Sequence, residues 1–241
     1  MSAPAQLGPL LFGHRGASAE CPENTLEAFA RALVVGADGV ELDIHATADD
    51  YLIVDHDGVI DGVPMMRMTR DEISEAKPYV PDLSAVLSTI GSMICNIEIK
   101  NWPFPESPIH DPTQRAASLL ADLMHTHDTS TIIVSSFDVG AIGVFRELSP
   151  HVETGWLTSG VAFPEALSMA VALGHPWMHC YDHQLGSDPG IAIAAAHDAE
   201  LRVNVWTVDD AARWGELADG HADALITNDP RRFREWQAQR S

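Results

Sequence analysis

Three carboxylates stand at the ends of short apolar segments, where their side chains could bind a metal ion. Glu41 and Asp43 lie two residues apart at the end of one segment, and Glu98 stands at the end of a later one. Residues two apart on a strand point to the same face, so Glu41 and Asp43 share a face if the segment is extended. Three carboxylate oxygens in one cleft suit a hard divalent cation such as Mg²⁺ or Ca²⁺. The pattern therefore predicts one divalent metal ion among these three residues.

Two cations accompany the carboxylates. Lys100 lies two residues after Glu98, and Arg15 follows the first apolar segment of the chain. Either cation could form a simple ion pair with a carboxylate. An ammonium group and a guanidinium fork beside a metal ion are also well suited to phosphate oxygens. We therefore expect Arg15 and Lys100 to bind the phosphate of an anionic substrate.

Two histidines, His14 and His56, could transfer protons beside such a metal. His14 lies in a turn between Gly13 and Gly16, where the alternative is a structural role. His56 follows the short apolar run Tyr51–Val54. Two histidines near one metal suit opposed general acid and general base roles.

Two further residues, His179 and Trp206, stand toward the ends of predicted strands and are expected to line the substrate pocket. Trp206 could equally belong to the core. His183 follows His179 by four residues, a spacing that resembles a zinc pair, but an extended segment would turn the two rings apart. Zinc at this pair is therefore the weaker interpretation.

The elements that must position these residues alternate along the chain. Eight segments have the composition of strands: Pro9–Phe12, Gly39–Ile44, Met93–Ile99, Thr131–Ser135, Glu153–Leu157, Trp177–Cys180, Arg202–Thr207 and Ala224–Thr227. Eight have the pattern of helices: Thr25–Val35, Leu83–Ile90, Gln114–His125, Val139–Leu148, Pro164–Leu173, Pro189–Ala199, Asp210–Leu217 and Arg231–Gln239. This alternation predicts an α/β fold, a (β/α)₈ barrel whose chemistry lies at the carboxyl ends of its strands. The alternative, a doubly wound open sheet, would require a Gly-rich phosphate turn, and the sequence contains no G-x-G-x-x-G.

Residues 45–82 form a long excursion within this alternation, and we expect them to build a short hairpin or cap over the barrel mouth. The whole chain, residues 1–241, is otherwise expected to be a single domain. At the start of the first helix, Asn24 precedes Glu27 by three residues, which predicts an N-cap with a capping-box partner.

The composition excludes several classes of partner. The formal net charge of −21 disfavours nucleic acids and anionic membrane surfaces. No apolar stretch approaches the length of a membrane span, so we expect no stable membrane association. Cys95 lies in an apolar run and is expected to be a buried thiol, and three widely spaced cysteines indicate no disulfide framework. Met1–Leu11 lacks the features of a signal peptide, so we expect a cytoplasmic protein. These features are compatible with association into a homo-oligomer.

Taken together, the motifs closely resemble those of the glycerophosphodiester phosphodiesterases. The matching segments are His14-Arg15-Gly16, Pro22-Glu23-Asn24-Thr25, Glu41-Leu42-Asp43, Asp49, His56-Asp57, Asn96-Ile97-Glu98-Ile99-Lys100, Ser136-Phe137, Val205-Trp206-Thr207 and Ile226-Thr227-Asn228-Asp229-Pro230. They occur in order through the whole chain, and as a set they are highly specific.

The resemblance implies a TIM-like barrel that hydrolyses glycerophosphodiesters to sn-glycerol 3-phosphate and an alcohol. It implies three groups of site residues: the ligands of a divalent metal, Glu41, Asp43 and Glu98; an acid–base pair, His14 and His56; and the phosphate-binding residues Arg15 and Lys100. Alternatives in the same site are a lysophospholipase D activity, for which Met65, Met66 and Met68 could supply an acyl track, and a non-catalytic sugar-phosphate binder.

The chain departs from the family pattern at Gly58–Arg70, where the usual glycine-containing stretch with an Arg-Thr-Thr run is missing. A trimmed cap is expected to make few contacts with the alcohol. The sequence therefore predicts broad tolerance for the alcohol part of the substrate.

Overall fold

The computed structural model describes residues 8–100 and 112–240. Its strands are β1 (Leu10–His14), β2 (Gly39–Ala46), β3 (Leu52–Val54), β4 (Val59–Ile60), β5 (Val63–Pro64), β6 (Ile94–Ile99), β7 (Ile132–Ser136), β8 (Glu153–Thr158), β9 (Trp177–Tyr181), β10 (Arg202–Trp206) and β11 (Ala224–Thr227). Its helices are α1 (Leu26–Val34), α2 (Arg70–Ala76), α3 (Leu83–Ile90), α4 (Pro112–Met124), α5 (Val139–Leu148), α6 (Phe163–Leu173), α7 (Pro189–Asp198), α8 (Ala211–Asp219) and α9 (Pro230–Arg240).

Eight of these strands form a closed parallel barrel. Strand β1 pairs with β2 on one side and with β11 on the other, and β6 to β10 complete the circle. All eight barrel strands begin and end within two residues of the predicted bounds. The predicted (β/α)₈ barrel is confirmed, and closure excludes the open sheet.

Successive side chains on each strand point alternately into and out of the barrel, so the apolar residues form an inner layer and an outer layer. One set packs inside the barrel and includes Phe12, Ile133 and Trp177. The other set packs outward against the helices in the main core. Gly39 is required for the inner packing, because a Cβ there would lie 2.4 Å from the ring of Phe12. The inner apolar residues form a floor, and the carboxyl ends of the strands above it are left to polar residues.

Residues 45–82, which were expected to form the cap, contain the end of β2, three short strands and helix α2. Strand β3 pairs antiparallel with the far end of β2, and β4 and β5 form a small hairpin. Five side chains form a separate small core: Ile53, Ile60, Met65, Ile73 and Val80. Helix α2, which begins at a Thr69–Glu72 capping box, was not predicted. Met65 is fully buried, so it cannot line an acyl track.

Two smaller expectations are also tested within the described residues. Cys95 is fully buried, as predicted. No helix among residues 8–100 and 112–240 combines the length and the hydropathy of a membrane span. The Met1–Leu11 segment was expected not to be a signal peptide. Residues 1–7 of this segment lie outside the described residues.

Candidate active site

The three acidic residues converge at the carboxyl ends of two neighbouring strands. Strands β2 and β6 pair so that Asp43 lies opposite Glu98, and Glu41 shares the inward face with Asp43. One carboxylate oxygen from each residue lies within 4.8 Å of the others. All three side chains are buried, which is unusual for a cluster of like charges.

Mutual repulsion and burial perturb these carboxyl groups. Burial, followed by the charge of Asp43, raises the pKa of Glu41 well above its usual range. The same two causes raise the pKa of Glu98 to about 7. Burial acts in the same direction on Asp43, but Lys100 and Arg15 outweigh it, and the pKa of Asp43 is lowered. Full ionisation of all three carboxyl groups is therefore unfavourable without a further cation, which is the behaviour expected of a cation site.

Arg15 and Lys100 both contact this cluster. Lys100 Nζ lies 2.9 Å from Glu98 Oε1 and 3.2 Å from Asp43 Oδ1. Arg15 Nε lies 3.3 Å from Asp43 Oδ2, and its Nη1 lies 2.8 Å from Glu23 Oε1. Both cations also line a cavity above the carboxylates, so their charges face the space that a substrate would occupy.

His14 ends β1 and contacts the cluster from the other side. Its Nδ1 lies 2.7 Å from Asn228 Oδ1, and its Nε2 lies 3.9 Å from Glu41 Oε2. Asp209 orients the amide of Asn228. Its carboxylate accepts one hydrogen bond from Asn228 Nδ2 and another from the backbone nitrogen of Asn228. His14 Nδ1 therefore donates, and Nε2 is left as the proton acceptor. Burial and the nearby Arg15 lower the pKa of His14.

His56 lies in the loop after β3, at the edge of the cap. Its Nδ1 lies 2.8 Å from Asp57 Oδ1. The hydrogen bond with His56 is the main cause of a lowered pKa for Asp57, which keeps this carboxylate ionised. His14 thus pairs with a neutral amide, and His56 pairs with a carboxylate.

A cavity of about 130 Å³ brings most of the predicted residues together. Its lining includes His14, Arg15, Glu41, His56, Glu98, Lys100 and Trp206. Asp43 lies just beneath, held by Arg15 and Lys100. Phe137 packs edge-on against Trp206 at 5.5 Å and adds to an apolar wall.

His179 is the one predicted residue that the structure places elsewhere. It lies in the middle of β9, is fully buried and is absent from the cavity lining. Its ring occupies the space over Gly155, where a Cβ would lie 2.4 Å from Nε2. His183 is exposed, and the acidic triad is the only potential metal cluster among the described residues, so zinc at His179 and His183 finds no support.

Two asparagines were not predicted to be part of the site. Thr25, rather than Asn24, caps α1 by accepting a hydrogen bond from the Ala28 nitrogen. Asn24 instead donates from Nδ2 to Asp43 Oδ2 at 2.9 Å. Asn228 orients His14, as described above. The sequence feature that could have identified both asparagines is their position in the segments Pro22-Glu23-Asn24-Thr25 and Thr227-Asn228-Asp229-Pro230.

A family model, described as the glycerophosphoryl diester phosphodiesterase family, matches residues 14–232. The chain belongs to this family. As a family member it is a phosphoric diester hydrolase, and its motifs span nearly the whole barrel.

Individual relatives agree with this assignment. A glycerophosphodiester phosphodiesterase of Caldanaerobacter subterraneus subsp. tengcongensis is 28% identical over 92% of this chain and 94% of its own length. A Mycobacterium tuberculosis protein named "Probable glycerophosphodiester phosphodiesterase 1" is 51% identical over 61% of this chain and 63% of its own length. A solved phosphodiesterase of Oleispira antarctica, in complex with the product sn-glycerol-3-phosphate, has the same fold. It is 20% identical with a TM-score of 0.81 and covers 95% of this chain and 96% of its own.

Proposed function

We propose that this family member hydrolyses glycerophosphodiesters to sn-glycerol 3-phosphate and an alcohol, with a divalent metal ion and two histidines. The proposal rests on one observation: the acidic triad, two cations and two histidines meet at one cavity. One histidine pairs with an amide and the other with a carboxylate. The Oleispira relative, bound to sn-glycerol-3-phosphate, supports the choice of substrate.

The triad fits a divalent cation. Its three hard oxygen donors are buried, close together and only partly neutralised, and Mg²⁺ and Ca²⁺ prefer such donors. Glu41, Asp43 and Glu98 would hold the ion. When bound, it supplies Lewis-acid stabilisation of charge on phosphate and hydroxyl oxygens.

The two cations orient the phosphate. Arg15 presents a planar fork, and Lys100 presents a compact charge, both of which suit phosphate oxygens. Their ion pairs with the buried carboxylates hold them beside the cavity before substrate arrives. This arrangement stabilises the negative charge that develops on the phosphoryl group.

The different partners of the two histidines support different roles for them. His14, neutral and with Nε2 unprotonated, takes the proton of the attacking nucleophile. His56, whose ring is held by the contact of its Nδ1 with the Asp57 carboxylate, donates a proton to the oxygen of the departing alcohol. An activated leaving group needs no such proton, so the two roles can be separated experimentally.

The test compares glycerophosphocholine with the 4-nitrophenyl ester of glycerol 3-phosphate. We expect His14→Ala to lower kcat by about 10²–10⁴-fold on both substrates. His56→Ala should lower kcat similarly on glycerophosphocholine but by less than about tenfold on the nitrophenyl ester. Equal losses on both substrates for His56→Ala would reject its role as the acid. Full activity after exhaustive chelation would reject the metal.

A further inference from the structure

A second, larger cavity adjoins the candidate site on the His56 side. This groove has a volume of about 890 Å³ and runs between the start of α1 and the end of the cap. His56 lines both the groove and the smaller cavity, whereas His14 lines only the smaller one. If His56 protonates the departing alcohol, the alcohol lies on the groove side.

The groove carries an excess of negative charge. Its lining includes two cations, Arg70 and Lys77, and five carboxylates, Glu23, Glu27, Asp55, Asp57 and Asp82. Each cation is already neutralised within the groove: Arg70 pairs with Asp82, and Lys77 Nζ lies 3.3 Å from Asp55 Oδ2. Of the remaining three acids, Glu23 pairs with Arg15 and Asp57 with His56. Glu27 has no ion pair among the described residues.

The rest of the lining is apolar or polarisable. Tyr79 exposes 59% of its surface, and Leu26 exposes 39%. Both line the groove, together with several prolines. Asn24 also lines it and is 95% buried, since only 5% of its surface is accessible. Its Oδ1 has no hydrogen-bond partner within residues 8–100 and 112–240, which leaves a fixed acceptor at the junction with the candidate site.

We propose that this groove binds the alcohol part of the substrate and selects alcohols that carry an alkylammonium group, such as choline. The inference rests on the proposed function. An alkylammonium combines positive charge with an apolar surface, and it is attracted both to carboxylates and to aromatic faces. Glu27 and Tyr79 are the specificity-determining residues, and neither belongs to the catalytic machinery described above. The groove thus offers contacts with the alcohol that were not expected from the short Gly58–Arg70 segment.

The test isolates charge from shape. Glycerophosphocholine is compared with its 3,3-dimethylbutyl analogue, in which a carbon replaces the nitrogen, by measuring release of sn-glycerol 3-phosphate at low ionic strength. Because the two alcohols differ as leaving groups, the diagnostic quantity is the change in the ratio of their kcat/KM values between variants. We expect Glu27→Gln to lower this ratio by about threefold and Glu27→Lys to lower it further. Tyr79→Ala should lower it by about threefold.

The matched control is Glu165→Gln. Glu165, like Glu27, is an exposed glutamate in the first turn of a helix, but it lies on α6, away from the groove. We expect this variant to leave the ratio unchanged. An unchanged ratio in both Glu27 variants and in Tyr79→Ala would overturn the inference. Failure of the wild-type protein to cleave either ester would instead reject the proposed function, so the two failures are distinguishable.

Discussion

The amide oxygen of Asn228 lies 2.7 Å from Nδ1 of His14, and this contact decides which nitrogen of the imidazole carries the proton. Asp209 accepts from the Asn228 amide nitrogen at 2.6 Å, so the amide cannot reverse without losing that bond. Residues at opposite ends of the chain thereby set the chemistry of the proposed base.

Asn228→Ala should lower kcat by about 10–100-fold, because the His14 ring loses its tautomer and orientation. KM and metal affinity should change little. Ser18→Ala is the control, since Ser18 also donates to Asn228 Oδ1, at 3.0 Å, but does not touch the ring. Steady-state kinetics of both variants test the idea, and an Asn228→Ala enzyme with wild-type kcat would contradict it.

Removing the Glu41 carboxylate from the triad should stabilise the metal-free protein. In excess chelator at pH 8, Glu41→Gln relieves like-charge repulsion and should raise Tm by several degrees, about 1 kcal/mol or more. Asp43→Asn should lower Tm instead, because Arg15 and Lys100 lose their shared partner.

Adding Mg²⁺ or Ca²⁺ completes this experiment. The wild-type Tm should rise with metal concentration, since a ligand of the folded state stabilises it. Both variants should lose most of that rise. Thermal unfolding followed by circular dichroism provides the readout, and identical metal-induced shifts in all three proteins would argue against the triad as the binding site.

Acid should destabilise the protein through His179. Burial lowers the pKa of His179 to about 3, while the unfolded chain takes up the proton near pH 6.5. The unfolded state therefore binds more protons below pH 6.5, and stability falls as pH falls. From pH 7.5 to pH 5 the loss from this residue is about 2 kcal/mol.

His179→Gln should be less stable at pH 7.5 but should show a correspondingly smaller loss on acidification. Urea unfolding at the two pH values measures both quantities. Parallel stability profiles for the wild type and the variant would show that folding does not lower the pKa of His179.

The cap should depend on its own small core. Met65→Ala removes a fully buried side chain and should cost about 2–5 kcal/mol of local stability. Met66 is only half-buried, so Met66→Ala should cost much less. Hydrogen exchange of residues 52–80 can compare the two variants, and equal protection would show that the cap core contributes nothing.

Much of the architecture follows from local sequence patterns. Strand and helix periodicities are short-range properties, and their strict alternation left the closed barrel as the simplest solution. Parallel strands end at one rim, so ionisable residues at strand ends were bound to meet there. Glu41, Asp43 and Glu98 were therefore predictable as a cluster without any coordinates.

Tertiary contacts decided the rest, because they choose between partners that the sequence makes equally available. Asn24 and Thr25 could each have capped α1, but the buried carboxylate of Asp43 requires a donor, and Asn24 supplies it. His179 looked like a pocket residue, yet the missing side chain at Gly155 lets its ring fill the barrel interior.

The tautomer of His14 is the clearest example of a property that local sequence could not predict. It depends on a residue 214 positions away, whose own orientation depends on Asp209. The sequence by itself determined the barrel and the chemical types at its rim. Only the folded chain decided which atoms face each other, because hydrogen-bond direction is a property of three-dimensional packing and has no local sequence signal.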